Sequence, residues 1–385
     1  MTGAPEQAEL QIPVFDIRIE PEDLRAVEEA LRSGWLSMGP RTEDFESAFA
    51  KHLGARHVLA VSSGTAALHL SCLAAGVGPG DEVIVPSQTF VATANAVAYC
   101  GATPVFADIV GPEDLGLDPA AVEAAITERT KAVIVVHYAG YAAHVAELSS
   151  LCATRGLTLI EDAAHAPSAT SEGKKLGTFG LAGCFSFFSN KVMPCGEGGA
   201  FSTDSDEAFE QARLLRSQAM TATTRDRHLG RAMAYDVVGV GFNHRLDDPR
   251  SALLGSRLKR LDADIERRRE IVHRYRRMLA DVDGLIIPYR DEEVGTSSCY
   301  MMGVLTADPE RRNPVRGALR DEHGIQTTIY PAVHELTVYR RQYPDLSLPN
   351  SERVARSLFS IPLFPHMDEP TQDRVVEALK AVVDG

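Results

Sequence analysis

The sequence predicts an α/β protein: a large three-layer domain on a mainly parallel sheet, followed by a smaller C-terminal α+β domain. Three observations carry this. Six short runs, HVLAVSS, EVIVP, TPVFAD, KAVIVVH, LTLIED and CFSFF, lie between residues 57 and 188 with helical stretches between them. They are nearly continuous in apolar residues where a half-exposed strand would alternate, which marks strands buried on both faces of a parallel sheet. The chain has 385 residues, 44% hydrophobic and 24% charged, which fits two or three globular units at roughly 150 residues each.

After ten polar residues, PEDLRAVEEALRSG predicts a helix that opens at Pro21, carries Leu24, Val27 and Leu31 on one face, and stops at Gly34. TEDFESAFAKHLG predicts a second, with Phe45, Phe49 and Leu53 along one stripe and Gly54 as terminator. Strand and helix then alternate to about residue 245, so residues 1–245 form the N-terminal segment and large domain. LLGSRLKRLDADIERRREIVHRYRRMLADV predicts one long charged helix with Leu254, Leu258, Leu261 and Ile265 at helical spacing, suited to link two domains. Beyond Gly284 the runs are short and broken by proline. Residues 246–385 therefore comprise the linking helix and the small domain.

Composition excludes several function classes. Lys+Arg total 39 against 53 Asp+Glu, a net charge of -14, which repels a phosphate backbone and argues against a nucleic acid partner. No apolar run approaches the roughly 18 residues of a membrane span, and the start MTGAPEQAELQIP lacks the charged and apolar regions of a signal peptide. No membrane partner and a cytoplasmic location are expected. The six cysteines (Cys72, Cys100, Cys152, Cys184, Cys195, Cys299) form no CxxC pair and no cluster at metal-ligand spacing, so reduced thiols and no metal site are expected.

Three segments carry candidate chemistry. Ser62-Ser63-Gly64-Thr65-Ala66-Ala67-Leu68 turns a strand into a helix, pointing free N–H groups and a positive dipole end at one spot, as a phosphate requires. An ordinary capped helix has the same residues. Asp162, in Ile160-Glu161-Asp162-Ala163-Ala164-His165, ends a strand where open parallel sheets bind ligands, so it either meets a cationic ligand nitrogen or caps the next helix. Lys191 follows the apolar run Phe185-Ser186-Phe187-Phe188-Ser189-Asn190 and precedes the tight return Gly196-Glu197-Gly198-Gly199. A lysine that loses solvation there has a lowered pKa and a free amine, whereas most lone lysines are solvated surface charges. Anion cradle, carboxylate and buried amine together are the fixed contacts that pyridoxal phosphate needs at its phosphate, ring nitrogen and aldehyde carbon. The cluster Gly76-Val77-Gly78-Pro79-Gly80 is no dinucleotide loop, because it follows a helix and precedes a strand.

With SGWLSMGP (33–40), VGPGDEVIVPSQTFVATANAV (77–97), GFNHRLDDPRSALLGSRL (241–258) and IPLFPHM (361–367) added, the chain resembles, nearly end to end, the DegT/DnrJ/EryC1/StrS family of pyridoxal-phosphate sugar aminotransferases. The resemblance implies the aspartate aminotransferase fold, type I among pyridoxal-phosphate enzymes. It makes Lys191 the catalytic residue, forming the Schiff base with the cofactor and shuttling the proton between substrate and cofactor carbons. It implies that Asp162 keeps the ring nitrogen protonated, that Gly64, Thr65 and Ser186 hold the phosphate, that Phe90 stacks on the ring, and that His165 sits near the 3-oxygen. Asn243 matches the asparagine that reaches the phosphate from a neighbouring subunit, which implies a homodimer with active sites at the interface.

A minority branch replaces the lysine with histidine and removes a hydroxyl, so the presence of Lys191 favours transamination. The expected reaction is ping-pong, from glutamate or glutamine to a keto group of a nucleotide-linked sugar. Tyr330, His334 and Arg245 are the expected substrate contacts. The run Ile329-Tyr330-Pro331 departs from the relatives' His-Tyr-Pro, and Asn190 and Met193-Pro194-Cys195 replace small hydroxyl residues near the lysine. These departures leave open a cyclitol or other carbocyclic ketone as acceptor. A non-catalytic pyridoxal-phosphate-binding regulator is the other alternative.

Overall fold

In the computed structural model, which describes residues 11–222 and 227–384, all six apolar runs are strands of one seven-stranded sheet. They are β1 (His57–Val61), β2 (Glu82–Pro86), β3 (Thr103–Ala107), β4 (Thr130–Val136), β5 (Thr158–Asp162) and β8 (Ala182–Ser186). The short strands β6 (Thr170–Ser171) and β7 (Lys174–Lys175) pair separately. The seventh strand, β9 (Gly199–Thr203), is absent from the sequence reading because GAFST has few β-branched residues, yet all five are buried. The order is β1-β9-β8-β5-β4-β2-β3, and only β9 runs against its neighbours.

Two buried clusters share the strands' side chains by alternation. Val58, Ala60, Val133 and Val135 face one; Leu59, Val61, Ala132 and Ile134 face the other. Both sheet faces are therefore covered, which gives the three layers.

The helix α1 (Pro21–Arg32) is present, but Leu24 and Leu31 are 63% and 52% exposed. The buried face instead carries Asp23, which accepts from both terminal nitrogens of Arg260 at 2.9 and 2.6 Å. In α2 (Pro40–Leu53) the stripe Phe45, Phe49, Leu53 is buried and Gly54 closes the helix with φ 73°. The helices α3 (Gly64–Ala74), α4 (Ala92–Tyr99), α5 (Pro119–Ala125), α6 (Val145–Arg155) and α7 (Asp206–Arg216) follow in the large domain.

The single long helix expected after residue 245 is two helices, α8 (Asp248–Leu258) and α9 (Leu261–Leu279). Arg260 breaks the run with φ -113° and ψ 1°, and from there its guanidinium reaches Asp23. The small unit is built on the antiparallel strands β10 (Leu285–Ile286), β11 (Met302–Thr306) and β12 (Leu358–Ile361), with helices α10 (Arg312–Asp321), α11 (Pro349–Ser357) and α12 (Glu369–Asp384). The first described residues are tied to this unit: Gln326 N donates to Ile12 O and Leu363 N to Val14 O. All six cysteines are buried and unpaired. No helix among the described residues is long and apolar enough to cross a membrane.

Candidate active site

Strands β1, β2, β5 and β8 end on the same edge of the sheet, where open parallel sheets bind ligands. They bring Ser63–Thr65, Thr89–Phe90, Asp162–His165 and Ser186–Lys191 around a cavity of about 450 Å³, which Thr328–Pro331 of the small unit closes.

At the β1 end, Ser63 is extended and its Oγ accepts from Ala66 N at 3.1 Å, so α3 starts at Gly64. The first bond of that helix runs from Ala67 N to Ser63 O. The N–H groups of Gly64 and Thr65 precede it and have no partner within the helix, and the positive end of the helix dipole lies behind them. A Cβ on Gly64 would stand 2.9 Å from Ser186 Cβ, and one on Gly199 would stand 2.4 Å from the carbonyl carbon of Ser63. Those two glycines let β8 and β9 back directly onto the turn.

Asp162 is buried at the end of β5, its Oδ2 accepting from Thr93 Oγ1 at 2.8 Å and its Oδ1 from Ala164 N at 3.2 Å. Burial pushes its carboxyl above the usual range, against the pull of Thr93 and Lys191. Behind it, the wholly buried Glu161 accepts from Gly177 N at 2.7 Å and Gly180 N at 2.9 Å and meets His137 Nε2 at 3.1 Å. That network anchors the chain leading into β8.

Lys191 lies in the turn after β8, its N–H donating to Phe188 O at 2.9 Å. Its Nζ stands 4.5 Å from the centre of the Tyr300 ring. Burial lowers the amine from its ordinary 10.5 to about 7, with Asp162 opposing the shift. His165 is stacked on Tyr300, ring centres 4.2 Å apart, and burial next to Lys191 keeps it well below the usual histidine range. Tyr330 completes this wall, its hydroxyl 3.3 Å from that of Tyr300.

The other expected residues lie as follows. Phe90 is at the cavity with 56% of its surface uncovered. Asn243 is exposed beside Ser217, outside the lining of its own chain's cavity. Arg245 bridges to Val61 at the edge of β1, also outside the lining, with its Nη1 buried and unpartnered. His334 is turned from the cavity: its Nδ1 is 2.6 Å from Ser87 Oγ and its Nε2 is 3.5 Å from Glu352 on α11. Nδ1 thus joins the small unit to the end of β2, and Nε2 ties His334 to α11 within the small unit. Thr93 and Tyr300 are absent from the sequence reading. Thr93, three residues past Phe90, was within reach of a helix-face argument; Tyr300, in SSCYMMG, carries the signature of an ordinary buried strand.

The chain's residues 17–380 match the model of the DegT/DnrJ/EryC1/StrS aminotransferase family. Its sequence is similar to the spore coat polysaccharide biosynthesis protein SpsC of Bacillus subtilis strain 168, 38% identical over 375 residues, covering 95% of this chain and 96% of that one. Its structure is similar to the aminotransferase TlmJ of Streptoalloteichus hindustanus, with a TM-score of 0.89, 36% identity, and 97% and 99% of the two chains covered. It is also similar to NtdA of Bacillus subtilis with the cofactor PMP bound, with a TM-score of 0.85, 28% identity, and 94% and 82% covered.

Proposed function

The chain belongs to the DegT/DnrJ/EryC1/StrS aminotransferase family, and from that premise we propose that it moves an amino group from L-glutamate or L-glutamine to a keto group of a nucleotide-linked deoxysugar. It is an aminotransferase that uses pyridoxal phosphate. The observation that carries the reading is one cavity shared by the Lys191 amine, the Asp162 carboxylate and the open start of α3.

The residues present fit the cofactor. Gly64 keeps clear a cradle that a Cβ would fill. Asn190 Oδ1 and His165 Nδ1 are buried at the cavity without a protein partner, and the Phe90 ring stands uncovered. When bound, the cofactor supplies an electron sink for the substrate carbon, a task that no side chain here performs.

The chain's own residues do the rest. Gly64 N, Thr65 N and Ser186 Oγ would bind the phosphate, and Phe90 would pack against the ring. Asp162 would hold a proton on the ring nitrogen, a positive charge that would offset the burial disfavouring its carboxylate. Lys191 Nζ would hold the cofactor and would move a proton at the substrate carbon. An amine that titrates near 7 gives and takes that proton equally well at neutral pH.

A sugar acceptor is supported by SpsC, whose name places it in polysaccharide biosynthesis. The homodimer reading is supported by side chains exposed at Leu24, Leu31, Val237, Val238 and Val240, and by Asn243, which is exposed and follows the three valines closely in sequence. Across that interface Asn243 meets the partner's phosphate, and Arg245 serves the anionic substrates. Tyr330 contacts the sugar, and His334 acts on it by holding the small unit in register. We place the enzyme in the cytoplasm.

The test is the visible spectrum of the cofactor-loaded protein before and after L-glutamate or L-glutamine, with Lys191→Ala as control. Conversion in the wild type alone supports the first half-reaction. Product analysis with nucleotide-linked 3-keto and 4-keto sugars against an inosose then identifies the acceptor, and turnover of the inosose alone refutes the sugar reading.

A further inference from the structure

A second cavity, of about 220 Å³, abuts the first: Asn190 and Lys191 line both. It lies between the N-terminal strap at Phe15–Glu20, the turn after Lys191, and the helices α8 and α9. Five arginines line it, Arg18, Arg257, Arg260, Arg267 and Arg268, against three carboxylates, Asp16, Glu20 and Asp264.

The arginines are not equally neutralised. Arg260 is held by Asp23, Arg267 by Glu270 at 2.7 Å and Arg18 by Glu20 at 3.3 Å, while the Nη2 of Arg257 stands 3.5 Å from Asp23 and donates to Arg18 O. Arg268 is 4% exposed, and among the described residues no carboxylate lies within ion-pair distance of it. Its Nη1 has only the carbonyls of Cys299, Tyr300 and Leu363, at 3.5, 3.4 and 3.3 Å. The Nε of Arg268 and the Nε of Arg257, itself 7% exposed, are buried with no acceptor. Of the five, Arg268 is thus the guanidinium with no ion pair among the described residues; a buried one without an anion is costly, and its fork suits a carboxylate. Burial accordingly lowers the Arg268 guanidinium to about 10.

We infer that this cavity, anchored by Arg268 and Arg257 and rimmed by Arg18, binds the carboxylate of the amino donor beside Lys191. The inference rests on the aminotransferase reading and adds to it the place where the donor's charge is held. The donor's α-carboxylate is bonded to the same carbon as the amine that reacts, so its binding site must touch the lysine. The phosphates of a nucleotide-linked sugar lie a sugar ring away from the keto carbon. The volume also sits below the roughly 300–1,000 Å³ of pockets for larger ligands, which suits one end of an amino acid.

The probe is glutarate, which has the donor's carboxylates and no amine. Calorimetry of the cofactor-loaded enzyme should show glutarate binding in competition with the donor. Arg268→Met should weaken both glutarate and the donor about tenfold or more, and Arg18→Ala, whose side chain is exposed at the rim, about threefold. Cofactor affinity and the acceptor's KM should stay at wild-type values. Unchanged glutarate binding in variants that keep the wild-type Tm, or a loss confined to the acceptor, overturns the inference. If Arg268→Met does not fold, Arg18→Ala decides it by the same threefold loss of glutarate binding. A wild type whose cofactor responds to no amino donor defeats the aminotransferase reading, whereas the glutarate measurement reports on the anion site independently.

Discussion

Lys191 should behave as a neutral-pH nucleophile even without cofactor. Its ordinary pKa is 10.5, and burial brings it to about 7. At pH 7 an unperturbed lysine has about one amine in 3,000 free, whereas Lys191 has about half. The sign follows from a lowered base: the amine is protonated below about 7 and free above it, so reactivity rises through pH 7 and levels off near pH 8. The assay is the rate at which trinitrobenzenesulfonate labels the cofactor-free protein, followed for the peptide that contains Lys191 between pH 5.5 and 10. The perturbation is Asp162→Asn. Because Asp162 raises the amine against burial, its loss should move the midpoint further below 7. A wild-type midpoint near 10, or an upward move in Asp162→Asn, would refute the argument that burial sets this amine's reactivity.

Three further outcomes follow from the same geometry. Lys191→Ala and Asn243→Ala, each inactive alone, should recover about a quarter of wild-type activity when unfolded and refolded together, since half the dimers then carry one intact site; no recovery would place Asn243 in its own chain's site. Gly64→Ala, whose Cβ would press on Ser186 at 2.9 Å, should weaken cofactor binding about tenfold by equilibrium dialysis with little loss of Tm. Thr93→Val removes the hydrogen bond that favours ionised Asp162, so the acid limb of the kcat profile should move to higher pH, an effect that a purely structural Thr93 would not produce.

What could be read in advance depended on whether a residue's role is decided within its own segment. Asp162 at a strand end, Gly64 at a strand-to-helix turn and Lys191 before a glycine return are each fixed by a few neighbours, and their motifs name them. The faces of α1 are decided by Arg260, more than two hundred residues on, so the apolar stripe Leu24, Val27, Leu31 pointed the wrong way out of its own segment. Likewise β9 is a strand because β1 and β8 enclose it, and its five residues say little by themselves.

Arg268 lies between these cases. In the run ERRRE it passes for one of three solvated charges, yet only the middle arginine is buried. The period of α9 marks it: Leu261, Ile265, Arg268, Val272, Tyr275 and Leu279 advance by three and four, a core stripe with one guanidinium set into it. A charge at a core position needs a partner or a ligand. The other members of the stripe are hydrophobic or, for Tyr275, bonded to Pro362 O at 3.0 Å; among the described residues Asp264 acts on Arg268 only at longer range, which leaves its guanidinium open to a ligand carboxylate. That step joins a periodicity visible in residue order to the anion cavity beside Lys191, and the glutarate titration tests both at once.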